Sequence, residues 1–326
     1  CNAPPTASQV RPSMSNARDH GGGLDAAVAT FGGTRDSWLD LSTGINPVAY
    51  PVKDIAADSW TALPDQAALD ALINAARDFW NVPDNATIIS AGGASAIIAQ
   101  MPMLPALKGL SGAQIQNRTY NEHAAAFRHH GWDVSPDAGD VHVLVRPNNP
   151  DGDMGLPNAA ARLTIIDESF GDMCPSDSMV YRTSDKNTIV LKSFGKFWGL
   201  AGARLGFAIG HPETLAGLNE QLGPWAVAGP TLTLGARALS DHDWATATRQ
   251  RLAADARRLN DLMTRHNAKV VGGTDLFRLY QVDDAQSWQT RLANGHVWSR
   301  VFPYAGDWLR LGLPAPDQWQ QLEAAL

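Results

Sequence analysis

Short apolar runs closed by turn residues dominate the middle of the chain: Thr87–Ser90, Val141–Val145, Leu163–Ile166, Thr188–Leu191 and Leu205–Ile209. They are too brief for buried helices, mostly rich in β-branched residues, and lack polar alternation. Such runs suit strands buried on both faces, the condition met in a parallel sheet covered by helices. Ala94–Gln100 and Asn121–His130 read as intervening helices. The alternation predicts an α/β fold with a mostly parallel central sheet. From about Leu215 the pattern turns helical, with Ala245–His266 the longest candidate. Strands near Lys269–Gly272, Phe277–Gln281 and Leu309–Gly312 and a helix from Pro316 then predict a smaller α+β unit. The expected organisation is an N-terminal arm (1–38), a large α/β domain (39–214) and linking helices with a small C-terminal domain (215–326).

The 326 residues suffice for about two domains. With 26 basic and 33 acidic side chains the net charge is −7, which leaves no basic excess for a nucleic-acid backbone. Cys1 and Cys174 are the only cysteines, so a disulfide framework is excluded and a reducing, cytoplasmic setting is expected. No apolar run approaches the ~20 residues of a membrane span. The first 19 residues are polar and Pro/Ser-rich, without a signal-peptide core, and Met14 is a candidate natural start. No metal site is expected.

The chemistry concentrates in turns that follow the strands. Leu191–Phe207 carries Ser193, Lys196 and Arg204 in a glycine-rich stretch. By itself this is a solvated basic turn, but open α/β sheets gather ligand groups at such strand ends. Ser90–Ser95 (SAGGAS) ends one strand and opens a helix, a place where backbone N–H groups suit a phosphate. Arg146–Gly152 (RPNNPDG) follows another strand and reads locally as a turn. Asp167–Phe170 (DESF) reads locally as a helix cap, although a carboxylate at a strand end can also face a cationic nitrogen.

In this order, and with Ser193 and Arg204 at −3 and +8 from Lys196, the motifs resemble the fold type I pyridoxal-phosphate enzymes, the aspartate aminotransferase superfamily. The resemblance runs from about Leu39 to the end. It implies pyridoxal 5'-phosphate as cofactor, with Lys196 bonding its aldehyde and then serving as base or acid. By the same resemblance Asp167 would pair with the ring nitrogen and Asn149 with the phenolic oxygen, while Tyr120 stacks on the ring. Ser193, Arg204 and the backbone around Gly93, Ala94 and Ser95 would hold the phosphate. Three positions depart from the pattern. Phe170 replaces a tyrosine that contacts the phenolic oxygen, Leu63 replaces a tyrosine that reaches the partner's cofactor phosphate, and Gly195 replaces a serine.

Asp19–Leu24 (DHGGGL) and Trp38–Pro47 (WLDLSTGINP) look like the threonine-phosphate decarboxylases of cobalamin biosynthesis. That likeness implies conversion of L-threonine O-3-phosphate to (R)-1-aminopropan-2-yl phosphate and CO2, with His20 and Asn46 helping to hold the substrate. Val297–Phe302 and Trp308–Gly312 match two C-terminal arginine segments. Arg310 would clamp the α-carboxylate and Arg300 the phosphate, since either anion buried without a partner is costly. The alternatives are an aminotransferase acting on histidinol phosphate or an aromatic amino acid, and a non-catalytic ligand sensor. A sensor would be expected to carry a DNA-binding helical pair and to have lost the lysine. The resemblance also implies a homodimer with active sites at the subunit boundary.

Overall fold

The apolar runs assemble into one sheet whose carboxyl edge carries the turns described above. The structure, a computed structural model, describes residues 20–326; the expectations about Cys1, Met14 and the polar opening segment lie outside them. The large sheet contains β2 (Thr87–Ala91), β3 (Gly112–Ile115), β4 (Asp133–Ser135), β5 (Val141–Val145), β6 (Leu163–Asp167), β7 (Thr188–Ser193) and β8 (Gly206–Gly210), in the order β2-β8-β7-β6-β5-β3-β4. β3 to β7 pair in parallel, whereas β8 runs antiparallel to both β2 and β7.

Both faces are covered, which is why β5 and β6 are buried at every residue. One face packs on α4 (Ala94–Gln100), α5 (Asn121–His129) and α6 (Leu218–Leu222). The other meets α3 (Gln66–Phe79), α7 (Gly229–Leu239) and α8 (His242–Arg265). Alternation along β7 sends Ile189 and Leu191 to the first core and Val190 to the second.

A second sheet, β12 (Arg300–Phe302), β13 (Ala305–Gly312), β10 (Phe277–Gln281) and β9 (Lys269–Thr274) in that order, is antiparallel and packs with α9 (Ala285–Asn294). Asp241 caps α8 by accepting from the Trp244 N–H, and Asp284 caps α9 through Ser287. α10 (Trp319–Ala325) closes the chain, and α2 (Asp58–Thr61) is a single turn beside α7.

At both ends of the large domain the chain packs across to neighbouring elements. α1 (Leu24–Phe31) packs through Leu24 and Ala27 with Trp38 and Ala293, and β1 (Leu39–Asp40) pairs in parallel with β11 (Val297–Trp298). Residues 24–40 thus join the C-terminal body. The linking helices α6 and α7 pack with the large sheet and its helices. Among the described residues no helix is long and apolar enough to cross a membrane.

Candidate active site

β5, β6 and β7 end at a cavity of about 180 Å³ lined by Ala94, Ser95, Tyr120, Asn149, Asp167, Phe170, Ser193, Lys196 and Arg204. Residues drawn from turns more than a hundred positions apart converge there because the strands point the same way. Asp167 is the last residue of β6 and almost fully buried. Its Oδ2 lies 2.8 Å from His123 Nε2, and its Oδ1 accepts from the Ser169 N–H (2.9 Å) and hydroxyl (2.5 Å). Burial alone would push this carboxyl up, but His123, with the Ser169 bonds, outweighs it and holds the pKa below the usual carboxylate range. Asp167 is therefore anionic at neutral pH.

Lys196 sits in the loop after β7, its Nζ 5.3 Å from the Phe170 ring centre. Burial, then the charge of Arg310, lower its pKa; Asp167 opposes and Arg204 adds to the lowering, which leaves it near 8 instead of 10.5. The backbone around it is pinned: Asn46 N–H donates to the Lys196 carbonyl (3.0 Å) and Asn46 Nδ2 to the Phe197 carbonyl (2.8 Å).

The other end of the cavity is a cradle for an anion. Arg204 adopts a left-handed backbone (φ 52°), and its guanidinium lies so close to Gly93 that a Cβ there would stand 2.6 Å from Nη2. Gly93 itself has φ 95°, which disfavours any L side chain. The first turn of α4 leaves backbone N–H groups facing outward, and the Ser193, Ser95 and Tyr120 hydroxyls lie around it, Tyr120 hydrogen-bonded to Ser95. A buried carboxylate at one end, a weakly basic amine between and a cationic cradle at the other fit a planar cationic ring bearing an aldehyde and a phosphate.

A larger cavity of about 380 Å³ shares Tyr120, Asn149, Phe170 and Lys196 with the first and adds His20, Arg300 and Arg310. Arg310, on β13, is 4% exposed; its guanidinium donates to Asn149 Oδ1 and, at 2.6 Å, to the Ser42 carbonyl. Arg300 Nη1 donates to the His20 carbonyl (2.6 Å), and His20 Nε2 lies 2.9 Å from Glu122. Two arginines thus face the same space as Lys196.

Asn46 corrects one expectation. It lines neither cavity: its Nδ2 is committed to Phe197, and its Oδ1 accepts from Val48 N–H and Arg251 Nη2 (2.6 Å). The Ile-Asn-Pro segment braces the lysine loop and does not touch the substrate space. Sequence reasoning also missed His123, whose signal was a histidine one helical turn after Tyr120. A cavity of about 650 Å³ between Pro64, Leu69 and Trp225 is larger than either, yet it holds none of the expected site residues.

The aminotransferase class I and II family model matches residues 147–326. A threonine-phosphate decarboxylase of Sinorhizobium sp is 36% identical over 91% of this chain and 93% of that protein. The chain belongs to the class I and II aminotransferase family. Another family member, the threonine-phosphate decarboxylase of Pseudomonas aeruginosa, is 36% identical over 94% of this chain and 97% of its own length. The family fold is seen in the histidinol-phosphate aminotransferase of Sinorhizobium meliloti in complex with pyridoxal-5'-phosphate. It superposes with a TM-score of 0.79 at 18% identity, over 98% of this chain and 97% of that one.

Proposed function

We propose that this family member is a pyridoxal-phosphate-dependent decarboxylase that converts L-threonine O-3-phosphate to (R)-1-aminopropan-2-yl phosphate and CO2, a step of cobalamin biosynthesis. The observation that carries the reading is the likeness, over nearly the whole chain, to two threonine-phosphate decarboxylases. The pairing of Arg300 and Arg310 in one cavity with Lys196 supports it, because a substrate bearing a carboxylate and a phosphate needs two cationic anchors.

Bound pyridoxal phosphate supplies the electron sink that takes the pair released as the Cα–carboxylate bond breaks. The protein supplies the rest. Lys196, with a pKa near 8, presents an appreciable neutral fraction for bonding the cofactor aldehyde. Its ammonium form would hold a proton beside the substrate Cα, ready to be given to the carbon from which CO2 has left. Asp167, anionic and fixed by His123 and Ser169, would hold the proton on the ring nitrogen. Ser193, Arg204 and the Gly93–Ser95 turn would take the cofactor phosphate, with Tyr120 over the ring and Asn149 at the phenolic oxygen. Arg310 would bind the α-carboxylate, Arg300 and His20 the substrate phosphate. Those anchors decide whether Cα–H or Cα–COO⁻ stands perpendicular to the ring, and so whether the chain transaminates or decarboxylates.

The reading places the protein in the cytoplasm as a homodimer. Trp60, Leu63 and Trp225 are 70%, 65% and 58% exposed beside the cavity at Pro64, an apolar surface suited to a second copy. The test mixes the cofactor-loaded protein with L-threonine O-3-phosphate and follows CO2 and aminopropanol phosphate. Release of both supports the decarboxylase; a 2-oxo acid with no CO2 would replace it with the aminotransferase.

A further inference from the structure

Behind the sheet, on the face away from the cofactor cradle, lies a charged cluster that the chemistry above does not use. Lys192 and Glu168 are 1% and 2% exposed, and Lys192 Nζ stands 2.7 Å from Glu168 Oε2 and 3.5 Å from Asp172 Oδ1. Each charge is well satisfied. Glu168 also accepts from the Met179 N–H (2.6 Å) and the Ser178 hydroxyl (2.7 Å). Asp172 accepts from the indole N–H groups of Trp80 (2.9 Å) and Trp198 (3.1 Å), and its carbonyl from Arg249 Nε (2.7 Å).

Burying an ion pair costs desolvation, and packed apolar residues of similar volume serve stability as well or better. The placement of this pair suggests another use. Glu168 follows Asp167 at the end of β6, and its N–H extends the ladder to the Leu191 carbonyl (3.0 Å). Lys192 precedes Ser193 at the end of β7. Alternation along a strand turns Lys192 to the face opposite Ser193, which lines the cradle. Trp198 lies two residues beyond Lys196. A chain of contacts therefore runs from the lysine loop through Trp198, Asp172 and Lys192 to Glu168, the residue next to Asp167.

We propose that Lys192, Glu168 and Asp172 form a positioning network that fixes the spacing between Asp167, Ser193 and the Lys196 loop from behind the sheet. It deepens the proposed function, since the spacing it sets is that between the ring-nitrogen carboxylate and the lysine. None of the three lines either of the cavities at Lys196. Removing the network would leave the fold and the cofactor bond while tilting the bound ring relative to Asp167 and Arg310.

The test uses the holoenzyme and two variants. Lys192→Met with Glu168→Gln neutralises the pair together and leaves Asp172 with its two indole N–H donors but without the Lys192 ammonium. Trp198→Phe keeps an aromatic ring beside Phe194 and Trp244, removes the N–H to Asp172 and leaves a smaller side chain in a fully buried position, whose packing cost the thermal unfolding reads. Thermal unfolding checks the fold, and visible circular dichroism of the bound cofactor reads its orientation without turnover. With either folded variant, kcat should fall about ten- to a hundredfold with KM within about twofold, and the visible dichroism should lose about half its amplitude. Lys192→Arg, which restores the charge, should recover most of both. A folded variant with wild-type dichroism and wild-type kcat overturns the proposal and leaves the cluster a stability feature. Should the double variant fail to fold, Trp198→Phe decides alone. Absence of CO2 from the wild-type protein would defeat the substrate assignment instead, while the dichroism comparison would still decide this proposal.

Discussion

Capture of pyridoxal phosphate by cofactor-free protein reads the charge of Lys196 directly, because only the unprotonated amine attacks an aldehyde. A pKa near 8 leaves about one amine in ten neutral at pH 7, against about one in three thousand at the ordinary 10.5. The gain is about three hundredfold in reactive amine. In stopped-flow experiments the capture rate should rise tenfold per pH unit and break near pH 8. Replacing Arg310 with Gln removes the largest contribution to the lowering after burial, so the break should move upward. A second arm uses stability. Lowering the pKa from 10.5 to about 8 costs the folded, charged state about 3 kcal/mol at pH 7, so cofactor-free Lys196→Met should gain up to that amount in urea unfolding. The gain is complete below pH 8 and shrinks as pH rises toward 10.5, because over that window the unfolded wild-type chain binds more protons than the folded one. A wild-type capture rate that kept climbing tenfold per unit to pH 10 would refute the reasoning.

Asp167→Asn should cost CO2 release about a hundredfold or more while cofactor still binds, measured by steady-state kinetics beside the visible spectrum. Because the folded pKa of Asp167 is depressed, the stability its partners lend is full above the unfolded value near 3.8 and is lost only as pH falls through the lower folded value. Asp167→Asn should therefore be less stable than wild type by a constant amount above about pH 4, and the two acid-unfolding curves should converge as pH falls below it. Arg300→Met should raise KM for threonine phosphate about ten- to a hundredfold, the worth of a charge-assisted bond, and leave binding of unphosphorylated threonine unchanged. Asn46→Ala should destabilise the fold by about 1–3 kcal/mol in denaturant titration, since it strands the Phe197 carbonyl and removes one of the bonds of Arg251, with KM unaltered. A tenfold KM increase at full stability would return Asn46 to the substrate site.

Strands buried on both faces were legible because apolar residues dominate them without regular polar alternation: β5 lies at the expected residues, while β6 and β7 run on to Asp167 and Ser193. Those polar ends were read as turns because a strand that stops at a ligand breaks its own pattern. β3 and β4 were missed. They lie at the sheet margin, and a half-exposed run such as Gly112–Ile115 carries too little apolar signal. In the site, local spacing made Ser193, Lys196 and Arg204 visible together. The link between His123 and Asp167 crosses 44 positions and had no such cue. Asn46 was misread because proximity to the lysine loop and contact with substrate leave the same motif in a sequence, and only its hydrogen bonds to Phe197 and Arg251 separate them.

The pairing of β1 with β11 also has a consequence for the chain as it is made. Leu39 lies opposite Val297, so the segment holding His20 and Ser42 can settle only after roughly 260 further residues have been synthesised. At typical elongation rates of about 5–20 residues per second, that is a wait of roughly 10–50 s. The large parallel sheet can form in the interval, and the early segment is then stitched in by the last strands to emerge. Truncation near the C-terminus would release the beginning of the chain as well as its end.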